Sequence, residues 1–172
     1  MHLLKSIIVF AAVVALAGTM PACAGKAWYR AQIDKKGIPY TADSFFNSIA
    51  ANDTAVTELF LGSGFDANAC RPAKSPEGMN ETAMTLALND GDLATARLLL
   101  KYGYQLNTEK CSIKDPPLHY AAMRGMVEVA KLLVENGADV NRKDQFGLTP
   151  LALARSMRHP EVAAFLESKG AK

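Results

Sequence analysis

The chain has 172 residues, 49% of them hydrophobic, with 19 Lys and Arg against 17 Asp and Glu. That is enough for one domain with a modest core. A formal charge of +2 without a basic run excludes a surface built for nucleic acid. The cysteines and histidines stand too far apart to read as a metal cluster.

Residues 1–24 read as an export signal. Lys5 supplies a positive start, and Ile7 to Ala17 is an unbroken apolar run. That run is too short to span a bilayer, which takes about 20 helical residues, and has the length of a secretory core. Gly18 and Pro21 break it, and Ala22-Cys23-Ala24 forms a small-residue cleavage box, with cleavage expected after Ala24. Cys23 keeps a second route open, because lipoprotein signals end in small residues and a cysteine that is lipidated. Met20 and Pro21 fit that pattern poorly. Soluble export to a bacterial periplasm is the expectation, with a lipid-anchored form as its alternative.

Residues 25–40 carry Lys26, Trp28, Tyr29, Arg30, Lys35 and Lys36 without clear periodicity. They are expected to cap the first of the units that follow, with Trp28 and Tyr29 on its open apolar end. Asp43 is the expected N-cap of the first helix beyond them.

From about residue 41 the chain repeats itself. Gly64, Gly103, Gly137 and Gly170 are spaced 39, 34 and 33 residues apart, each at the point where a second helix must stop. Within the third unit, Leu118, Ala121 and Ala122, then Val129, Leu132 and Leu133, fall at helical spacing on either side of Gly125. A two-helix unit of this size cannot bury its apolar faces alone and needs neighbours. The extra residues of the first interval fall in the loop Arg71-Pro72-Ala73-Lys74-Ser75-Pro76-Glu77-Gly78. Pro116-Pro117 is expected to open the third inner helix.

The period and the text resemble the ankyrin repeat family. The third unit carries Leu118-His119-Tyr120-Ala121-Ala122 and Gly137-Ala138-Asp139-Val140-Asn141, and the fourth opens Gly147-Leu148-Thr149-Pro150-Leu151. The second is looser, and the first, with Phe45, Ile49, Leu59-Phe60-Leu61 and Phe65-Asp66-Ala67-Asn68, is degenerate. The resemblance implies an all-α solenoid of about four helix-turn-helix repeats with projecting hairpin loops. The repeats are expected at about 41–73, 80–112, 114–146 and 147–172.

The resemblance also implies roles. Gly64, Gly103, Gly137, Gly170, Thr149 and Pro150 are structural. His119 is expected to bond backbone across loops, and Asp66 and Asp139 to cap backbone. His159, beside Pro160, is expected to be exposed. Met84 replaces a consensus leucine and belongs to the core. By repeat alignment, Cys70 and Cys111 lie in consecutive hairpin loops; a disulfide between them and two free thiols both stand open. The family binds proteins through its concave face. Carried over by position, that selects Asn47 and Ala51, then Leu86, Asn89 and Asp90, then Tyr120, Met123 and Arg124, then Leu153, Ser156 and Met157. The loop Arg142-Lys143-Asp144-Gln145-Phe146 completes the patch, with Phe146 either in contact or packed within its hairpin.

No catalytic motif is present: no activated nucleophile, no H-E-x-x-H, no glycine-rich phosphate loop. The chain reads as a non-enzymatic, cofactor-free and monomeric scaffold that binds another protein, with no small-molecule substrate. Some exported ankyrin-repeat proteins that it resembles are associated with oxidant defence, which implies an envelope enzyme as partner. An immunity protein against a periplasmic toxin and a lipid-anchored envelope scaffold are the alternatives.

Overall fold

The computed structural model describes residues 24–71, 81–107 and 116–172. Residues 1–23 of the expected export signal, Cys23 included, Cys111 and most of the loop after Arg71 lie outside the described residues. Four helix pairs follow one leading helix, α1 (Lys26–Lys35). The first pair is α2 (Ala42–Ala50) and α3 (Thr54–Gly62). A short hairpin, β1 (Cys70–Arg71) and β2 (Glu81–Thr82), joins antiparallel with Cys70 opposite Thr82. The next pairs are α4 (Ala83–Asn89) with α5 (Leu93–Lys101), and α6 (Pro117–Met123) with α7 (Val127–Glu135). The last is α8 (Pro150–Ser156) with α9 (Pro160–Ser168). The inner helices α2, α4, α6 and α8 stack in sequence, each against its own outer helix, giving the all-α solenoid the repeats imply.

Backbone handedness sets the repeat. Gly64, Gly103, Gly137 and Gly170 have φ of 95°, 88°, 89° and 85°, where a side chain would be strained. Each reverses the chain so that the next amide returns to a carbonyl of the outer helix. Phe65 donates to Phe60, Tyr104 to Leu99, Ala138 to Leu133 and Ala171 to Leu166, at 2.9–3.1 Å. This is the glycine-terminated helix stop, made four times. A second left-handed residue turns each inner helix into its outer helix, and here the type varies: Asn52, Gly91, Gly125 and Arg158.

The core runs along the seam between the two rows. Phe45, Met84, Leu118 and Leu151 occupy one register position and are all buried. The degenerate first repeat compensates with aromatic packing: Phe45, Phe60 and Phe65 cluster at 4.5–5.8 Å between ring centroids. Tyr40 stacks on Phe60 at 5.4 Å.

The ends of the stack differ from its middle. At the front, α1 packs on α3. Ile33 is fully buried, Trp28 and Tyr29 are partly so, and the Arg30 guanidinium lies 3.6 Å from the Tyr40 ring centroid. At the back, Arg155 and Glu167 pair at 2.7 Å across α8 and α9. Counting from the stop glycine, the same two positions hold Ile49 and Leu61, Leu88 and Leu100, and Ala122 and Val134 in the earlier repeats. An exposed ion pair stands where the earlier repeats carry apolar side chains.

One cap differs from expectation. The first inner helix starts at Thr41, whose Oγ1 accepts the Ser44 amide at 3.2 Å. Asp43 sits instead in the first turn, where a carboxylate favours the positive end of the helix. Two extra residues of helix before the register position displaced the cap.

Candidate partner-binding face

A ladder of asparagines fixes the hairpin side of the stack. Asn68 donates from Nδ2 to the Gly103 carbonyl at 3.2 Å and accepts the Gln105 amide at 2.8 Å. Asn107 repeats this with Gly137 and Asp139 at 2.9 and 3.1 Å, and Asn141 with Gly170 and Lys172 at 3.4 and 2.9 Å. Each side chain therefore satisfies a carbonyl and an amide of the following repeat, both left unpaired by the glycine turn. Asp66 and Asp139 act within their own turns and accept the Asn68 and Asn141 amides at 2.8 and 2.9 Å. The repeat text places Asn68 and Asn141 in the turns but assigns these asparagines no bond. Their spacing of four residues after each stop glycine was the available signal.

On that frame the inner helices present the residues selected by register. Asn89 and Asp90 are exposed at the end of α4, and Arg124 at the end of α6; Tyr120 and Met123 are half-buried between them. The Tyr120 hydroxyl donates to Asn89 Oδ1, and Arg124 reaches the Asn89 carbonyl at 3.5 Å. Arg124 also lies 5.7 Å from the Tyr120 ring centroid. These four groups form one brace across the second and third repeats, so Tyr120 ties repeats together while staying half-exposed on the inner face. Nearer the front, Arg71 donates to Asn47 Oδ1 at 3.0 Å and lies 5.6 Å from the Phe46 ring centroid. Asn47 is thus already engaged within the chain.

The last hairpin is held from inside. Asp144 Oδ1 accepts the amides of Phe146 and Leu148, both at 2.8 Å, and the Asp144 amide donates to the Leu148 carbonyl at 2.9 Å. That carbonyl also meets His119 Nε2 at 3.1 Å, and the imidazole is 1% exposed. Lys143 and Gln145 face solvent, Arg142 is half-buried, and Phe146 is 74% exposed. Phe146 therefore does not pack within its hairpin. Ser156 and Met157 are exposed at the far end of α8, whereas Leu153 is 9% exposed. Leu153 drops out of the candidate face because its side chain fills the core.

His159 departs from the expected exposure. It is half-buried, its Nε2 lies 3.0 Å from the Met123 carbonyl, and its ring covers Gly125 so closely that a Cβ there would sit 2.5 Å from Nδ1. The glycine that turns the third repeat leaves room for this ring, a relation that sequence neighbours do not reveal. Thr149 caps α8 by accepting the Ala152 amide at 3.3 Å, and Pro150 fills its first turn. Cys70 is disulfide-bonded and its Sγ lies 3.7 Å from the Asn68 carbonyl; Cys111, its expected partner, lies outside the described residues. Among the described residues no three side chains gather as metal ligands, and no helix is long and apolar enough to cross a membrane.

A stack of helix pairs with a ladder-fixed hairpin edge and an open inner face defines a helical-repeat binding scaffold. A family model described as ankyrin repeats (3 copies) matches residues 46–144 and 114–172, and the chain belongs to the ankyrin repeat family. It is 31% identical over 136 residues to an ankyrin repeat protein of Rickettsia bellii, covering 77% of this chain and 50% of that protein. It is 46% identical over 54 residues to human protein phosphatase 1 regulatory subunit 27, covering 31% and 35% of the two chains. Mouse Rabankyrin-5 shares 31% identity over 116 residues, which is 61% of this chain and 10% of that protein. The chain spans half or less of the length of these relatives. Ankyrin repeats are protein-interaction modules, and that is the class of this chain.

Proposed function

We propose that this chain is an exported, non-catalytic scaffold that binds one partner protein through its inner helices and the hairpin between the third and fourth repeats. The observation that carries this is the braced row of Asn89, Tyr120 and Arg124 beside a rigid hairpin whose Phe146 ring is given to solvent. Exposed aromatic and arginine side chains on a fixed frame are the residue types that most often dominate binding energy. The apolar run from Ile7 to Ala17 and the Ala22-Cys23-Ala24 box support export to a periplasm, and the disulfide at Cys70 accords with an oxidising compartment. We pair Cys70 with Cys111, a bridge that ties the first hairpin loop to the second. The partner we favour is an envelope enzyme that the scaffold protects or helps to mature.

Affinity purification of the exported protein from its native envelope, with mass spectrometry, tests the reading. One stoichiometric protein, lost on Tyr120→Ala with Arg124→Ala, is the expected result. Recovery of the protein alone, with a lipid mass on Cys23, would replace it with the envelope-anchored alternative.

A further inference from the structure

All large hydrophobic side chains exposed among the described residues lie on the last hairpin and the last repeat: Phe146 at 74%, Met157 at 47% and Leu148 at 41%. Register shows that two of them are out of place. Leu148 falls where the second and third repeats have Glu81 and Asp115, and Met157 falls where they have Asp90 and Arg124. Among the described residues these positions are exposed or half-buried and lie off the seam by which one repeat meets the next. On the last repeat that seam carries Arg155 and Glu167, paired at 2.7 Å. An isolated apolar residue on a surface needs no explanation, but two apolar residues at surface register positions, with an exposed phenylalanine on the hairpin just before them, do.

Three exposed cations lie close to them in sequence or register. Lys143 is exposed three residues before Phe146, Arg158 is exposed beside Met157, and Arg124 is exposed one repeat back at the Met157 register position. The carboxylate of the hairpin, Asp144, is turned inward onto the Phe146 and Leu148 amides. Asp90 is the acidic residue on the row, two repeats away from Met157. Phe146 and Met157 stand at opposite ends of α8, whose seven residues span about 10 Å.

Resting on the binding reading above, we infer that this end of the face takes an extended, acidic segment of the partner that carries aromatic or aliphatic side chains. Its apolar side chains cover Phe146 and Met157, and its carboxylates meet Lys143, Arg124 and Arg158. Complementary charge of this kind sets register and speeds encounter, while the apolar contacts hold the complex.

The test selects binders from a display library of random dodecapeptides on the purified exported protein. The enriched peptides should be net negative and contain Phe, Tyr, Trp, Leu or Ile. Phe146→Ser with Met157→Ser, and separately Arg124→Glu with Lys143→Glu, should each weaken a selected peptide about tenfold. The charge variant's effect should shrink in high salt. All four side chains are exposed. Circular dichroism melts of the Phe146 and Met157 variant should match the parent. Those of the charge variant should stay within a few degrees, since Arg124 gives up only a 3.5 Å contact with Asn89. Enrichment of basic peptides, no enrichment, or binding unaffected by both variant pairs overturns the inference, as does a dimer in sedimentation that Phe146→Ser dissolves. If a stoichiometric envelope partner is still captured by the Phe146 and Met157 variant but lost on Tyr120→Ala, this inference fails while the scaffold reading stands.

Discussion

Tyr29 occupies the space that a side chain on Gly62 would need: a Cβ built on that glycine lies 2.4 Å from the tyrosine ring. Gly62 is the last residue of α3, and Tyr29 comes from α1, so this contact seats the leading helix on the repeat stack. Elsewhere in a helix, replacing glycine with alanine gains about 1 kcal/mol. Here the ring must leave its seat, and Gly62→Ala should lower stability by about 1–3 kcal/mol in urea unfolding, the usual cost of overpacking. In a Tyr29→Ala background the same change should be neutral or stabilising. Equal effects in both backgrounds would mean that α1 does not seat through this ring.

Asn107 is the middle rung of the hairpin ladder, with bonds of 2.9 and 3.1 Å to the next repeat. Asn107→Ala leaves the Gly137 carbonyl and Asp139 amide to solvent and should cost about 1–2 kcal/mol. Asn141→Ala, where one of the two bonds is 3.4 Å, should cost less. The comparison is made by chemical denaturation. A larger loss at Asn141 would show that the ladder does not govern the stability of the stack.

What could be read in the sequence was whatever the repeat forces to recur. The stop glycines recur because left-handed backbone excludes side chains, and Leu118 and its equivalents recur because the seam must stay apolar. His119 was legible for the same reason. What occurs once was not. The helix Lys26–Lys35 buries Ile33 fully and little else, so its apolar period is too thin to see, and only its position before an open stack end announced it. The half-buried setting of His159 depends on the absent side chain of Gly125, thirty-four residues away in sequence. Thr41 took the cap from Asp43 because helix ends shift by a residue or two without changing the register behind them. At the candidate face, register gave the positions, but exposure decided among them: Leu153 and Met157 looked alike until the core claimed the first.

Two tyrosines make stability fall in alkali. Tyr102 is pushed above its ordinary value by burial, then by its hydrogen bond with Tyr29 and the nearby Glu58 carboxylate, and Tyr104 is pushed up by burial. In the unfolded chain both ionise near pH 10; in the folded chain both keep their protons higher. Above pH 10 the folded state therefore binds more protons than the unfolded state, and stability decreases as pH rises. The stabilisation is intact below pH 10 and is lost progressively towards the raised folded values. Tyr102→Phe and Tyr104→Phe should each flatten the fall in melting temperature between pH 9.5 and 11.5, a window set about the ordinary tyrosine value. An unchanged slope in both would assign alkaline unfolding to other groups.

Arg158 is the place where the repeat text and the backbone disagree most. The residue that turns an inner helix into its outer helix is left-handed in all four repeats, with φ of 53° at Asn52, 69° at Gly91, 70° at Gly125 and 60° at Arg158. Glycine takes this region freely and asparagine tolerates it, whereas an arginine there is strained by about 1–2 kcal/mol. Its side chain is exposed, and no packing in the core depends on it. Arg158→Gly should therefore raise stability by about 1 kcal/mol, the relieved strain less the entropy that glycine adds to the unfolded chain. Arg158→Asn should recover part of that gain. If Arg158 also meets carboxylates of an acidic segment, both variants should bind a selected peptide more weakly while melting higher, and the two effects separate in one experiment. A variant that melts lower would remove the strain argument, and one that melts higher with unchanged peptide affinity would leave the strain without a use in binding.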